Sequence, residues 1–179
     1  FKQFFAERAE KRFVIAGNLP YNISSPILFM FIELYRLLKE PPFERACVMV
    51  QKEVAGRMAA GAGSKQYSRL SAMLAYYGRV TLERRVGRRC FFPVPKVDSA
   101  FVSLEFGQGV REDPADDEMY EVVVRAAFAQ QRKQLKNSLS GLLASQGEQV
   151  FNQAGIDGSL RPGVIPPEGF LELAKALKG

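Results

Sequence analysis

"VIAGNLPYNISSPILF", residues 14–29, changes character within a few positions. With Phe13 it opens as a short continuous apolar run, "FVIAG", which suits a strand covered on both faces of a sheet. The run stops at Gly17, Asn18, Leu19, Pro20 and Tyr21. Ser25 and Pro26 then offer an N-cap and a proline at the first helical position, predicting a helix to about Lys39, where Pro41 and Pro42 end it. Ligands of parallel α/β sheets bind beyond the carboxyl ends of the strands, so this turn is a candidate site. Gly17 permits close backbone approach and Pro20 stiffens the turn. Asn18 brings one acceptor and two donors, and Tyr21 a flat face for stacking. Such a set can grip a planar ring bearing an amino group. An ordinary turn, with Asn18 capping backbone groups and Tyr21 in the core, accounts for the same residues equally well.

Outward from this turn, "FKQFFAERAEKR" (1–12) reads as the end of a helix, or a helix and its loop. "ERACVMVQ" is a second β-rich run, and "KEVAGRMAAGAGSKQYS" a short helix opening into a glycine-rich loop. "SRLSAMLAYYG" is helical or a helix leading to a strand, while "RVTLERRVG" and "SAFVSLEF" alternate as strands do. This order predicts an α/β sheet. The polar stretch "GQGVREDPADDE" reads as a linker, after which apolar positions recur at helical spacing from Tyr120 to Leu143. Helices near "GEQVFNQAG" and "PPEGFLELAKAL" complete a small all-α unit, giving domains at 1–107 and 112–179. "AAGAGSK" fails the spacing of a phosphate loop and follows a helix pattern; it reads as a substrate-side loop that carries Lys65 and Tyr67.

The 47% hydrophobic content belongs to a chain able to bury a core, and the longest strongly apolar block, "ILFMFI", is far short of the ~20 residues that span a membrane. Nothing resembles a secretory leader, so a cytoplasmic location is expected. Cys47 and Cys90 fit no metal-ligand spacing and there is no histidine, so two buried thiols are expected, and no metal. Residues 1–111 carry 18 Lys and Arg against 9 Asp and Glu; residues 112–179 carry 7 against 10. A basic excess confined to one part suits a polyanionic partner, or merely a solvated face.

"VIAGNLPYNISSPIL" closely resembles the motif of the ribosomal RNA adenine N6-dimethyltransferases, the bacterial KsgA-type family that modifies 16S RNA. "VMVQKEVAGRMAAGAGSKQYSRLS", "FFPVPKVDSAFVSL" and "QQRKQLKNSL" resemble later segments of that family in the same order. Ser68 departs from it, standing where a Gly is usual. The resemblance implies the C-terminal half of a Rossmann-like class I methyltransferase sheet, followed by a helical RNA-binding domain. It implies S-adenosylmethionine as cofactor, and small-subunit ribosomal RNA within an immature 30S particle as partner. Asn18 and the Leu19 carbonyl would accept hydrogen bonds from the adenine N6, in the turn that Pro20 shapes, with Asn18 also facing the methyl donor. Tyr21 would stack on one face of the base and Phe91 on the other, with Phe92 in the core. Pro93 and Pro95 would keep that loop extended.

Arg84, Arg85, Arg88 and Arg89, with Lys96 beyond them, would hold RNA phosphates; protection of a sheet edge is the alternative. Arg125, Arg132 and Lys136 would share a face of one helix provided it does not break near Gln131, with Lys133 close by; the resemblance assigns them to RNA, and Lys65 and Tyr67 of the substrate-side loop would be RNA contacts as well.

A methyltransferase of this class also needs a glycine-rich turn after its first strand and an acidic residue after its second. Neither precedes Phe13, so the chain is expected to be an N-terminally truncated, inactive piece of the enzyme, with an exposed apolar sheet edge. A non-catalytic RNA-binding assembly factor or transcription-factor relative is an alternative, as is a 23S RNA methyltransferase. Target nucleotides, number of methyl groups and oligomeric state are not legible.

Overall fold

The computed structural model describes residues 13–38, 43–143 and 147–179. The helix read at 1–12 and the prolines at 41 and 42 lie outside them. The described residues form two compact units: those up to Ala59 with Tyr77–Gly109, and Ala60–Tyr76 with Val110–Gly179. The sequence division at 107–112 falls close to the second boundary, but the segment Ala60–Tyr76 gathers with the helical unit.

The first unit is an α/β sheet of four described strands, β1 (Phe13–Asn18), β2 (Phe43–Gln51), β3 (Gly78–Val86) and β4 (Ser99–Phe106), in the order β1-β2-β4-β3. β1 and β2 are parallel, whereas β4 runs antiparallel to both β2 and β3. Helix α1 (Ser24–Leu37) joins the first two strands, and α2 (Lys52–Met58) follows β2 directly. Ala46, Val48 and Val50 of β2 and Ala100, Val102 and Leu104 of β4 are buried, as central strands require. At the end of the sheet away from the NLPY turn, Tyr35 stacks on Phe106 at 4.9 Å, and Phe43 meets Phe106 edge-on at 5.2 Å. Gly78 is required where it stands, because a Cβ there would lie 2.4 Å from the Glu105 carbonyl oxygen.

Two expectations change here. β1 was expected to be covered on both faces, yet Val14 is 63% exposed and none of its residues is fully buried. It is an edge strand of the described sheet, with no strand outside it. The predicted cap of α1 also differs. The helix begins at Ser24 after Ile23, and no side chain caps it; Ser25 and Pro26 are its second and third residues. Proline is tolerated there because the first-turn N–H groups have no intrahelical partner anyway.

The second unit holds α3 (Arg69–Tyr77, up to Tyr76), α4 (Asp117–Ala129), α5 (Leu135–Ser138), α6 (Ser140–Leu143), α7 (Gln149–Ala154) and α8 (Pro167–Lys178). Just before α3, the Ser68 N–H donates to Ser71 Oγ at 3.0 Å, and the Ser68 hydroxyl, which a glycine would lack, lies 3.2 Å from that same oxygen. The departure from the family's usual glycine thus has a local use. Tyr76 stacks on Tyr120 with centroids 3.8 Å apart, and the Tyr120 hydroxyl donates to the Ala72 carbonyl at 3.0 Å. These contacts explain why Ala60–Tyr76 gathers with the helices. The "linker" is ordered at its end. Arg111 forks onto the buried Asp117 carboxylate at 2.8 and 2.6 Å, and the Tyr76 hydroxyl donates to it at 3.1 Å.

Candidate active site

Strand direction builds the site. β1 and β2 run parallel, so Asn18, opposite Met49, and Gln51 lie at the same end of the sheet. β4 runs back from Ser99, which pairs with Gln51, and β3 arrives at Val86, which pairs with Ser99. The NLPY turn and the loop 87–98 therefore leave the sheet at the same end of its strands, although some 70 residues separate them in the chain.

Within the turn, the Leu19 side chain is buried and its N–H donates to the Met49 carbonyl at 3.0 Å, extending the ladder one residue past β1. The Pro20 carbonyl accepts from Ile23 N at 3.1 Å and the Tyr21 carbonyl from Ser24 Oγ at 3.3 Å, which folds the chain into α1. The Leu19 carbonyl accepts no hydrogen bond among the described residues, and the exposed Asn18 side chain makes none there either. Two acceptors on successive residues are thus left open where Leu19 N pins the backbone to Met49. A Cβ on Gly17 would meet nothing within 4 Å, so the space beside the strand end is open.

The half-buried Tyr21 is held by its phenol. Its oxygen lies 2.6 Å from the hydroxyl of Ser99, which is fully buried at the start of β4. No described aromatic ring packs on Tyr21, which leaves its faces without an aromatic partner. Ser99 was missed by sequence reasoning. It was visible only as one letter of "KVDSA", and its partner lies 78 residues away.

The loop 87–98 is stapled at its base. The Arg88 N–H donates to the Asp98 carboxylate at 3.1 Å, Arg88 Nη1 to the Lys96 carbonyl at 3.3 Å, and Lys52 N to the Asp98 carbonyl at 3.0 Å. A short turn at Arg88–Cys90 then presents Phe91, half-buried, and Phe92, fully exposed. Phe92 was expected in the core; adjacent rings on this extended stretch diverge, and it is Phe92 that faces solvent. Cys90 is likewise exposed, not buried, and Cys47 is only partly covered. No group of three metal-ligating side chains occurs among the described residues, and no described helix is long and apolar enough to cross a membrane.

Arg84, Arg85, Arg88, Arg89 and Lys96 are all exposed. A register irregularity between Leu82 and Arg84 precedes the first two, where Glu83 accepts from the Ser103 hydroxyl. β3 is also an edge of the described sheet, so the edge-protection reading of these charges keeps a structural basis.

In the helical unit, Lys65, Arg125, Arg132, Lys133 and Lys136 are exposed. The shared helical face does not exist, because α4 ends at Ala129 and Lys136 lies on the separate α5. Tyr67, expected as an RNA contact, is buried. Its ring meets Phe128 edge-on at 5.6 Å, and its hydroxyl has no partner among the described residues. Burial, with the Glu168 carboxylate as a smaller cause, pushes its phenol well above the ordinary range.

Residues 2–178 match the family model described as ribosomal RNA adenine dimethylase. The small subunit ribosomal RNA methyltransferase A of Pseudomonas putida is 43% identical over 163 residues, covering 91% of this chain and 58% of that protein. The protein of that name from Methylobacillus flagellatus is 43% identical over 167 residues, covering 93% and 62%. The chain therefore spans about three-fifths of the length of these relatives. Among solved structures, the 23S rRNA methyltransferase ErmE superposes with a TM-score of 0.67 at 28% identity, over 94% of this chain and 66% of that one. A dimethyladenosine transferase from Plasmodium falciparum superposes with a TM-score of 0.72 at 26% identity, over 89% and 64%.

Proposed function

Because the chain belongs to the ribosomal RNA adenine dimethylase family, we propose that its first unit receives the target base of an S-adenosylmethionine-dependent enzyme. That enzyme converts adenosines of 16S ribosomal RNA to N6,N6-dimethyladenosine in immature 30S particles, in the cytoplasm. The observation that carries the reading is the pair of open acceptors, Asn18 and the Leu19 carbonyl, beside a tyrosine anchored through Ser99.

An adenine amino group is a poor nucleophile because its lone pair is delocalised into the ring. Two acceptors aimed at its hydrogens favour a more pyramidal nitrogen whose lone pair is available. Tyr21 and Phe91 hold the ring between them, and fixing the nitrogen against its methyl donor supplies rate through proximity and orientation. This scheme asks for no strong general base, so a chain without histidine is adequate to it. The adenosine must leave its RNA stack to enter. Exposed Arg84, Arg85, Arg88, Arg89 and Lys96 hold the flanking phosphates, and Lys65, Arg125, Arg132, Lys133 and Lys136 of the helical unit also contact RNA.

S-adenosylmethionine supplies an electrophilic sulfonium methyl group. The described residues fit its reacting end, where Asn18 stands beside the open space at Gly17. β1 and β2 are the described strands that pass within a few residues into a helix, and neither is followed by a glycine-rich turn. The grip on the donor's nucleoside is therefore not assigned to these residues.

Relatives named for the small-subunit ribosomal RNA, 42–43% identical over 91% of this chain, support a 16S substrate. In the complete protein, Asn18→Ala should abolish methyl transfer to undermethylated 30S particles while RNA binding persists. Wild-type turnover by that variant would remove Asn18 from the mechanism, and transfer to 23S but not 16S RNA would overturn the substrate.

A further inference from the structure

We propose that Phe92 stacks on the nucleobase next to the target adenosine, taking the place which that adenosine vacates when it leaves the RNA stack. The inference rests on the reading of the site as an adenine pocket and adds to it a residue that receives the neighbouring base. Phe92 is 100% exposed, whereas the next most exposed large hydrophobic residue among those described, Val14, is 63% exposed. Single exposed apolar side chains are common, so exposure alone decides nothing.

The setting decides it. Phe92 directly follows Phe91, the ring assigned to the target base, in a loop held by the Arg88–Asp98 and Arg88–Lys96 hydrogen bonds. Residues 84–98 contain five Lys or Arg and one carboxylate, Asp98, which is engaged by the Arg88 N–H. The side chains of Arg84, Arg85, Arg89 and Lys96 have no ion-pair partner among the described residues. An aromatic face among unpaired cations matches single-stranded nucleic acid, in which charges track phosphates and rings take bases irrespective of sequence. A protein partner would need acidic groups around an apolar anchor; Val94 and Val97, 59% and 42% exposed, are too small to add a second stacking surface. Stacking on the neighbouring base also offsets part of the cost of taking the adenosine out of its stack.

The test uses the complete protein and short single-stranded RNAs bearing one target adenosine, with either the 5′ or the 3′ neighbouring nucleotide normal or abasic. Phe92→Ala should weaken binding of the normal RNA by roughly fivefold to a hundredfold, while Phe92→Trp binds like wild type. For one of the two neighbours, the abasic RNA should cost wild type a similar factor and cost Phe92→Ala nothing further. Unchanged affinity in Phe92→Ala, or a Phe92→Ala defect that persists in full with both abasic RNAs, overturns the inference. Phe92→Leu binding like wild type would also overturn it, since a contact without a π face would then suffice. If wild type binds no such RNA at any salt concentration, the adenine-pocket reading falls too; if wild type binds and only the Phe92 effect is missing, that reading stands alone.

Discussion

The Tyr21–Ser99 hydrogen bond joins two segments that the chain keeps far apart, so breaking it from each side should give unequal results. Ser99 is fully buried, while Tyr21 is half-buried and its oxygen lies 2.6 Å away. Tyr21→Phe strands a buried hydroxyl, which costs about 1–3 kcal/mol. Ser99→Ala leaves a phenol that has some access to water, so only the net value of the bond, about 0.5–1.5 kcal/mol, is lost. The double variant should fall no further than Tyr21→Phe alone, giving a coupling of about 1 kcal/mol. Urea unfolding of all four proteins measures this, with the midpoint shifting and the slope constant. In the complete protein, Ser99→Ala should lower kcat by about tenfold (about 1.4 kcal/mol) with little change in KM, because the ring remains but its position relaxes. Additive stability losses, or Ser99→Ala costing more than Tyr21→Phe, would show that Ser99 is merely a packed residue and that the anchor is not one.

Three further outcomes follow from contacts elsewhere. Asp117→Ala removes the carboxylate that Arg111 and Tyr76 share in a buried position, and should cost about 3–5 kcal/mol in a urea titration. Tyr67→Phe removes a buried hydroxyl that has no partner among the described residues; it should be neutral or raise stability by up to about 1 kcal/mol, and a loss above that would reveal an unseen bond. Glu105 on β4 bridges Arg79 on β3 and Arg45 on β2, and its pKa is lowered by the Arg79 hydrogen bond first, then by the charges of both arginines. A lowered carboxylate pKa stabilises above the unfolded value near 4.3 and loses that contribution as pH falls through the folded one. The stability gap between wild type and Glu105→Gln should therefore close on acidification, and shrink in high salt.

What could be read from sequence was local. The strand "FVIAG", the helix after the NLPY turn and the paired strands near the middle all announce themselves by period and punctuation. The helix cap was misjudged because Ser24, Ser25 and Pro26 carry the same cue at neighbouring positions, and the Pro20 carbonyl had already turned the chain. The basic stripe failed for a similar reason. Its spacing assumed one helix, and α4 stops at Ala129 before "QQRK". Phe91 and Phe92 could be ordered only by motif register; which one met solvent depended on a loop fixed by Arg88 and Asp98. Tyr67 and Ser99 were beyond reach because burial and partner both come from distant segments.

Composition left the basic excess ambiguous, since a solvated face and a polyanion site have the same net charge. Pairing separates them. Arg45 and Arg79 are committed to Glu105, Arg69 to Glu121 and Arg111 to Asp117. The cations left without such partners in the first unit include Arg84 and Arg85, opposite Phe101 and Ala100 on β4, and Arg89 and Lys96 in the loop beyond. Protection of the β3 edge accounts for Arg84 and Arg85, but not for Arg89 and Lys96, which lie in the loop at the sheet end that also presents Asn18, Tyr21 and Phe91. A protein stabilised only for itself would also gain by placing acids beside them, as it does beside Arg45 and Arg79. Their concentration at that end suits the RNA substrate proposed above, whose phosphates would complete the pairs that the protein leaves open.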